Sequence, residues 1–519
     1  MQVLILTGQL AFLQAQQLVE SFKLPAKVIL LPVSVASFIT PDLVKQSLSE
    51  VSLSEFDQVL LPGLVPWDAS KLEMALGIRI RKGSQNIEDL PDLFKQNKIE
   101  DLSPKSAADL LLAKRYSEEY ATFIQKTEKK AQQIGLPRNF SLPQSNLLIG
   151  MDIAPRLMAQ VMNATRIPEE DVIATARFFV QKGAEIIDIG SDAQGADPQK
   201  LNHVISRIRA ELNVPVAVDS MRPAEIRAGI AAGAEIILSI DQGNFTVLDQ
   251  LPKDIAVVLI PTNVAAGQWP DTPIDRVKNI HNLAAKCQKA GVHKLLADPL
   301  LGAPIQPGFT KSLAAYYLLH NPSSTNLPSL DVPILLGAEN VSEMVDMDSL
   351  GVNGLLSSIA VELHAGIILA TEYSPKTQNS IEEFRRGIQL AYHAKMKQVP
   401  PKDLGVSLLT LKSKGKNPLP PEILNNATII PLEHQDFTPD PTGYFKIFSS
   451  YRTGQIFVAH YSNEHALQGV YASESSETLC KYLLRQKLVT RMDHAAYLGR
   501  ELAKAENCAK TGGNYFQEN

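Results

Sequence analysis

Acidic, amide and hydroxyl side chains recur in the middle of the chain at one kind of place, just past or within a short apolar run. Asp152, Ser191-Asp192, Asp219-Ser220, Ser239 and Asp241, Thr262-Asn263, Asp298-Pro299, Glu339-Asn340 and Ser357-Ser358 all stand so. The set is rich in acceptors and contains no His, Lys or Arg. It suits a neutral heterocycle that presents N–H donors better than it suits an anion. A carboxylate accepts two parallel N–H bonds from a ring N–H and its exocyclic amine, in the fork geometry that also pairs it with arginine. The plainer readings differ by position. Asp188, inside its run, reads as a buried, hydrogen-bonded structural acid, and Asp152 and Asp241 read equally well as helix caps or loop formers. Asp219 and Asp298 each end a buried apolar run and lead the candidates. The candidate binding set is Asp219, Asp298, Asp152, Ser239, Asp241, Asn263 and Asn340; no catalytic residue and no metal ligand is assigned.

The elements that must position these residues repeat regularly. Strand-like runs fall at 147–152, 185–189, 215–218, 235–240, 255–260, 293–297, 333–336 and 353–356. Helical stretches such as 170–182, 222–232 and 273–290 separate most of them, and Gly183, Gly233 and Gly291 stand where a helix would end before the next strand. Evenly spaced βα units of this number predict a (β/α)8 TIM barrel, with a doubly wound sheet as the alternative. In such a barrel the chemistry lies on the loops after the strands, where the residues above would gather.

The barrel, at 147–398, is flanked by an N-terminal α/β domain at 1–140, and by a linker at 399–432 that leads to a small α+β domain at 433–519. In the first, Val3–Leu6, Lys27–Leu31 and Gln58–Leu61 read as buried parallel strands ending in turns at Thr7-Gly8, Pro32 and Pro62-Gly63. Residues 105–135 read as one long polar helix. In the last domain, 443–448 and 455–461 read as paired strands around Arg452-Thr453-Gly454. His494, on a terminal helix, is the tempting ligand there, though a lone helical His is more often packed or capping.

Composition narrows the function. With 519 residues, 45% hydrophobic, and a net charge of −5 spread along the chain, there is no basic stripe to follow a phosphate backbone, so nucleic acid is not an expected partner. Cys287, Cys480 and Cys508 form no CxxC pair. No apolar run reaches the ~20 residues of a membrane span, and the first strand does not read as a signal peptide. A cytoplasmic protein without membrane contact is expected.

A pterin presents the donor edge described above, and the sequence resembles the pterin-binding family that includes dihydropteroate synthase and the methyltetrahydrofolate-dependent methyltransferases. The resemblance covers about 147–372. It is carried by Gly183-Ala184-Glu185-Ile186-Ile187-Asp188-Ile189-Gly190, Val218-Asp219-Ser220, Ala232-Gly233-Ala234-Glu235-Ile236-Ile237 and Asp298-Pro299, in that order. More narrowly, the whole chain is similar to three-part dihydropteroate synthase-like proteins of archaea and some bacteria, through 337–356 and 371–377. The tail also resembles a segment associated with the A subunit of tetrahydromethanopterin S-methyltransferase. The resemblance implies a reduced pterin or folate as ligand or substrate, with Asp219 and Asp298 on its pyrimidine edge.

The departures matter as much. The family's Asn after the fourth strand falls at Leu238 or Ser239. The Ser-Thr-Arg-Pro-Gly loop of synthases is replaced by Ser191-Asp192-Ala193-Gln194-Gly195. Their Ser-Arg-Lys after strand seven aligns with Ala338-Glu339-Asn340, their Arg-x-His after strand eight with Ser357-Ser358-Ile359, and their Asn-Val-Thr-Pro with Asp152-Ile153-Ala154-Pro155. Expelling pyrophosphate needs cations or magnesium to meet the developing charge, and only Arg156 near the first strand stands in for them. The reading is therefore a pterin-dependent transferase in folate one-carbon metabolism, with methyl or one-carbon transfer favoured over dihydropteroate synthesis. The alternatives are a non-catalytic pterin carrier or sensor and a divergent synthase. Candidate partners are a corrinoid or other one-carbon acceptor protein and a second copy of the chain in a homodimer. A flanking domain, through a residue such as Arg81 or Lys82, is expected to lend the barrel what its mouth lacks.

Overall fold

The computed structural model describes residues 2–49, 51–94, 99–322, 326–402, 404–412, 425–431 and 438–517. Of the linker expected at 399–432, residues 403, 413–424 and 432 lie outside them. The chain divides into two units, 1–122 with 409–434 and 123–408 with 435–519.

The first unit carries a parallel sheet in the order β2-β1-β3-β4, from β1 (Val3–Thr7), β2 (Ala26–Leu30), β3 (Gln58–Leu61) and β4 (Arg79–Lys82). Helices α1 (Gln9–Ser21), α2 (Pro41–Leu48), α3 (Ser70–Leu76) and α4 (Leu90–Phe94) follow the strands. Alternate residues of β1 enter two different clusters, Leu4 and Leu6 one, Val3 and Ile5 the other. That pattern is how a sheet covered on both faces spends a continuous apolar run. The cations considered at its strand ends are committed locally. Lys82 Nζ donates to the carbonyls of Val65 and Lys105 at 2.8 and 3.0 Å, and Arg81 pairs with Glu73. The long helix is present as α5 (Asp109–Ile134).

In the second unit, eight parallel strands close in the cyclic order β7 to β14. They are β7 (Arg156–Val161), β8 (Ile186–Gly190), β9 (Val216–Asp219), β10 (Ile236–Ile240), β11 (Ala256–Leu259), β12 (Lys294–Ala297), β13 (Ile334–Gly337) and β14 (Ala365–Ala370). Helices α6 (Glu169–Lys182), α7 (Pro198–Leu212), α8 (Pro223–Ala231), α9 (Pro273–Lys289), α10 (Phe309–His320), α11 (Glu339–Ser342), α12 (Ser349–Glu362) and α13 (Ser380–Lys397) form the connections and the outer layer. Gly183, Gly233 and Gly291 have φ of 111°, 97° and 87°, the left-handed conformation that a helix-ending glycine adopts without a Cβ penalty.

The (β/α)8 barrel is thus present, but its first and last strands are not those expected. Leu148–Gly150 is β6, which pairs antiparallel with β5 (Asn139–Ser141) as a hairpin. This hairpin plugs the amino end of the barrel. Phe140, Leu142 and Ile149 pack with Ile186, Ala217, Ile236 and Ala256 from the first turns of the strands. A Cβ on Gly366, beside the start of β14, would lie 3.1 Å from Ile149. The run 353–356 belongs to α12, and the eighth strand is β14. An apolar run of four residues is equally a piece of buried helix, and period alone does not separate the two.

Inside the barrel the inward residues form an apolar floor, Met158, Leu238, Val258, Leu296, Leu335 and Leu369 among them. Two residues further along the strands, the same inward register carries Gln160, Asp188, Asp219 and Asp298. Side-chain period 2 makes this change from floor to mouth.

The C-terminal module is a meander of β15 (Tyr444–Ser450), β16 (Gln455–Tyr461) and β17 (Leu467–Ser473), backed by α14 (Ser476–Arg485) and α15 (Met492–Thr511). It docks on the helical flank of the barrel. Tyr451 stacks edge-on against Phe178 of α6 at 5.5 Å and donates to Asn379 Oδ1 at 2.8 Å. A cavity of about 410 Å³ beside it is lined by Glu372, Phe448, Tyr451 and Tyr515.

The amino-end plug should be essential to the barrel. Phe140→Ala removes a buried ring whose neighbours are strand residues that cannot close the gap, and should cost about 3–5 kcal/mol. A denaturant titration followed by near-ultraviolet circular dichroism checks this; a loss below about 1 kcal/mol would mean the hairpin is a passive cover.

Candidate functional site

The carboxyl ends of the strands gather a polar ring on the apolar floor. Gln160 Nε2 donates to Asp188 Oδ2 at 2.8 Å and to Asp219 Oδ2 at 3.0 Å, so one amide bridges two acids on neighbouring strands. Ser239 Oγ donates to the other oxygen of Asp219 at 2.8 Å. Ser239 has φ 64°, and the β10–β11 register shifts between Ile237 and Ile240. This bulge re-aims the strand end, a known use of such irregularities beside binding sites. Across the mouth, Asp298 accepts from the fully buried Tyr316 hydroxyl and from Leu300 N, both on Oδ1. Glu339 follows β13 by two residues, and Thr371 Oγ1 donates to Gln160 O at 3.0 Å from the end of β14.

The ring is desolvated, and among the described residues its own side chains include no cation, though the charge of Arg276 acts on Asp298. Asp188 is fully buried and holds its proton well above the ordinary carboxylate range, first because of burial and then because of Asp219. Burial also raises Asp219. Burial pushes Asp298 up to about 6 against the hydrogen bond from Tyr316. Glu339 is raised well above its usual value by burial, then by the fields of Asp298, Asp219 and Asp188. The nearby cations are turned elsewhere. Arg222 donates to the carbonyls of Asp192, Ala193 and Gly195, which shapes the loop after β8. Arg276 donates to the carbonyls of Pro299 and Leu300. Lys311 and Lys376 pair with the exposed Asp271 and Asp346. Arg166, exposed in the loop after β7, is a rim cation that the strand-end inventory passed over because that strand was misplaced.

Each sequence candidate now has a place. Asp219, Asp298 and Ser239 belong to the mouth. Asn340 and Asn263 sit on its rim; Asn340 is exposed and Asn263 Oδ1 accepts from Ala266 N at 3.3 Å as a cap. Asp241 is a correction. It is fully buried, Oδ1 accepting from Gly243 N and Asn244 N and Oδ2 from Thr262 Oγ1 and Val264 N. It staples two βα loops and offers no free oxygen. Asp152 is a second correction. It lies at the amino end, where Arg138 grips both its oxygens at 2.8 and 3.2 Å and Asn139 donates at 2.8 Å. Its placement failed because 147–152 is the plug and not the first strand. Arg156 is also at that end, paired with Glu128 and Glu185. Ser357 and Ser358 lie in α12, so the eighth strand ends instead at Thr371-Glu372. Burial pushes Glu372 up to about 7 as it accepts from Ile381 N.

His494 is held by Nδ1 against Asp440 Oδ2 at 3.0 Å. Asp440 also accepts from Thr442, Thr490 and Arg491, so the pair pins the start of α15 to the loop before β15. Among the described residues no group of three or more His, Cys, Asp and Glu is arranged to hold a metal, and no helix is long and apolar enough to cross a membrane.

The closed parallel barrel is a (β/α)8 barrel, and its acid, amide and hydroxyl ring lies at the end where such barrels carry their sites. The pterin binding enzyme family matches residues 164–367, a family of unknown function (DUF6513) matches 1–85, and the PterinBD-DUF4346 family matches 439–518. The chain is 28% identical over 530 residues to an uncharacterized protein, MJ0107, of Methanocaldococcus jannaschii, covering 100% of this chain and 98% of that one. It is 28% identical over 191 residues to a probable bifunctional folylpolyglutamate synthase/dihydropteroate synthase of Haloferax volcanii, covering 33% of this chain and 22% of that protein. Xanthomonas albilineans dihydropteroate synthase, in complex with indole-2-carboxylic acid and 6-chloroguanine, aligns at 21% identity and a TM-score of 0.40, over 51% of this chain and 99% of that one. Over residues 164–367 the barrel thus resembles the pterin binding enzyme family and is dihydropteroate synthase-like.

The buried acid pair has a measurable signature. A carboxyl whose pKa is raised in the fold favours folding only while protonated; its contribution is intact below the unfolded value near 4 and is lost progressively as the pH rises. Asp188→Asn, which keeps the shape and can turn its carbonyl to Gln160, should therefore stabilise the protein at pH 8 and do little at pH 4.5. Thermal melts should show about 2–4 °C for each kcal/mol recovered. An equal effect at both pH values would mean that Asp188 is not held protonated.

Proposed function

We propose that the mouth binds a reduced pterin and that the protein is a pterin-dependent one-carbon transferase, with methyl transfer favoured over dihydropteroate synthesis. The observation that carries this reading is the pair Asp219 and Asp298. Both end their strands inside one desolvated ring, Asp298 within the field of Asp219, and Asp298 keeps Oδ2 free of the bonds that hold Oδ1. Each carboxylate has acceptor capacity beyond its present partners. Ring N–H and exocyclic amine donors fit such acceptors. Ser239 and Asn340 are proposed to complete the contact surface, Asn263 to line its rim, and Asp241 to position the loops.

Transfer of a methyl group demands alignment of donor and acceptor above all. Loss of pyrophosphate demands a clamp on two phosphates. The strand ends here carry Glu339-Asn340 and Thr371-Glu372 where such a clamp would stand, which supports the first chemistry over the second. The one-carbon acceptor is proposed to come from outside, on a corrinoid or other carrier protein. A non-catalytic pterin carrier is the second reading, favoured by the acid-only ring.

Calorimetry tests both. A tetrahydropterin should bind, and Asp219→Asn or Asp298→Asn should each weaken binding by about tenfold or more, as expected for loss of a charge-assisted bond. Unchanged affinity in both variants would remove these residues from the site. Hydroxymethyl-dihydropterin pyrophosphate and para-aminobenzoate should give no dihydropteroate at enzymatic rates; steady turnover would favour the divergent synthase instead.

A further inference from the structure

The C-terminal module meets the barrel flank at a seam that holds a cleft of about 560 Å³ with one-sided charge. The barrel contributes Lys182 from the end of α6 and Arg385 from α13. The module contributes Arg452 from the β15–β16 turn and Lys510 from α15. Among the described residues that line it, the one acid is Glu382, on the barrel side, 3.0 Å from Lys182 and 3.8 Å from Arg385. Lys510 pairs with Glu506 of its own helix. Packed surfaces set opposite charges against each other, and like charges brought face to face oppose docking. Here cations line the cleft from both sides, and the module's lining offers no acid to those of the barrel.

Part of this charge has a local task. Lys182 and Lys510 stand in the last turns of α6 and α15, where a cation meets the negative end of the helix. Lys182 also lies over the Tyr451 ring at 4.8 Å. Arg452 lies over Phe178 at 5.7 Å, with Nη2 3.3 Å from Thr175 Oγ1, so both help to fasten the module. Arg385 has no such task. It sits in the second turn of α13, and its guanidinium forms no hydrogen bond among the described residues. Its ion pair to Glu382 is long and is shared with the closer Lys182. Its stem is nonetheless fixed, lying over Gly183, at φ 111°, where a Cβ would collide with Arg385 Cδ. The result is a planar fork of donors held at the cleft and left unengaged.

We propose that the cleft is an anion-binding site, which takes a small molecule bearing a phosphate or polycarboxylate group of two or more negative charges. Arg385 grips two oxygens of that group through its fork, and Arg452 and Lys510 supply charge from the module side. The anion offsets the like charges across the seam and so ties the module to the barrel. The cleft has the volume of a small-molecule site, so it admits more than the anionic group alone. It lies on the helical flank of the barrel, and the inference does not depend on what the mouth binds.

The test uses the full chain, with pyrophosphate and citrate as probes in calorimetry at low and at physiological salt. One or both should bind, more weakly at the higher salt because exposed charges are screened. The tighter of the two tells a phosphate ester from a polycarboxylate as the class of ligand. Arg385→Gln combined with Lys510→Gln keeps much of both stems and should weaken that binding about tenfold or more. Thermal melts separate this role from a structural one. Without anion the double variant should melt at or above the native protein, because like charge has been removed from the seam. With anion the native melt should rise and that of the variant should not. Binding of neither probe, or equal affinity in the native protein and the double variant, would overturn the proposal. So would a double variant that melts lower without anion while neither probe moves the native melt, since the cations would then be fasteners alone.

Discussion

The bridge from Gln160 to Asp188 and Asp219 is the contact on which the mouth depends. Two carboxyl groups on adjacent strands share one amide, at 2.8 and 3.0 Å, above an apolar floor. In a site of low dielectric, two neighbouring carboxylates cannot both ionise cheaply, so a proton is retained between them. The amide supplies two N–H groups and no charge, which lets the pair persist without a cation. Had an arginine taken the place of Gln160, the pair would be neutralised and closed to further donors. The amide instead leaves the ring poised to accept.

The barrel separates its charges by end. At the amino end Arg156 lies between Glu128 and Glu185, and Arg138 holds Asp152 in a two-pronged pair. Those are complete pairings around a plug, and they serve stability. At the carboxyl end, Arg222 donates to backbone carbonyls and pairs with Glu225, and Arg276 donates to backbone carbonyls, so their side chains brace the loops. Asp241 does the same with its two oxygens. Conserving donors for the scaffold and acceptors for the ring is a division of labour between ends that the (β/α)8 fold permits, because its loops vary independently of its strands.

The sequence carried most of this architecture but not its phase. Strands two to seven stood out because most of their residues are Val, Ile, Leu or Ala on both faces, as in buried parallel strands. The first strand did not, since β7 opens with Arg156 and carries Gln160 inward, while the neighbouring LLIGM of the plug looks more like a buried strand. That single slip moved Asp152 into the mouth and hid Gln160 from it. Period 2 in RLMAQV, with Leu157, Ala159 and Val161 on one face, was the available signal. At the other end, the helix α12 is apolar nearly all round, so NGLL within it mimics a strand, and AGIILA was passed over. The strand-end positions of Asp219 and Asp298 were legible because each follows a run whose phase was right. The local bonds of Asp241 were not, because a turn that folds back on its own carboxylate is set by backbone geometry that residue type alone leaves open.

The sign of charge at the end of strand seven bears on which leaving group such a mouth tolerates. A departing pyrophosphate would enter a ring already holding Asp188, Asp219, Asp298 and Glu339, with the near arginines turned to carbonyls. Each step of negative charge development would be opposed there, the reverse of what electrostatic stabilisation requires. A reduced pterin that gives up a methyl group as a cation equivalent leaves the electron pair on its ring nitrogen, so the step calls for a proton at that nitrogen and not for a clamp on phosphate. On the reading proposed above, its N–H donors would meet the carboxylates of the ring. On that same reading, the desolvation that keeps a proton on the acid ring would also oppose a phosphate there, so the exclusion of one substrate class and the recognition of the other would have a single physical origin.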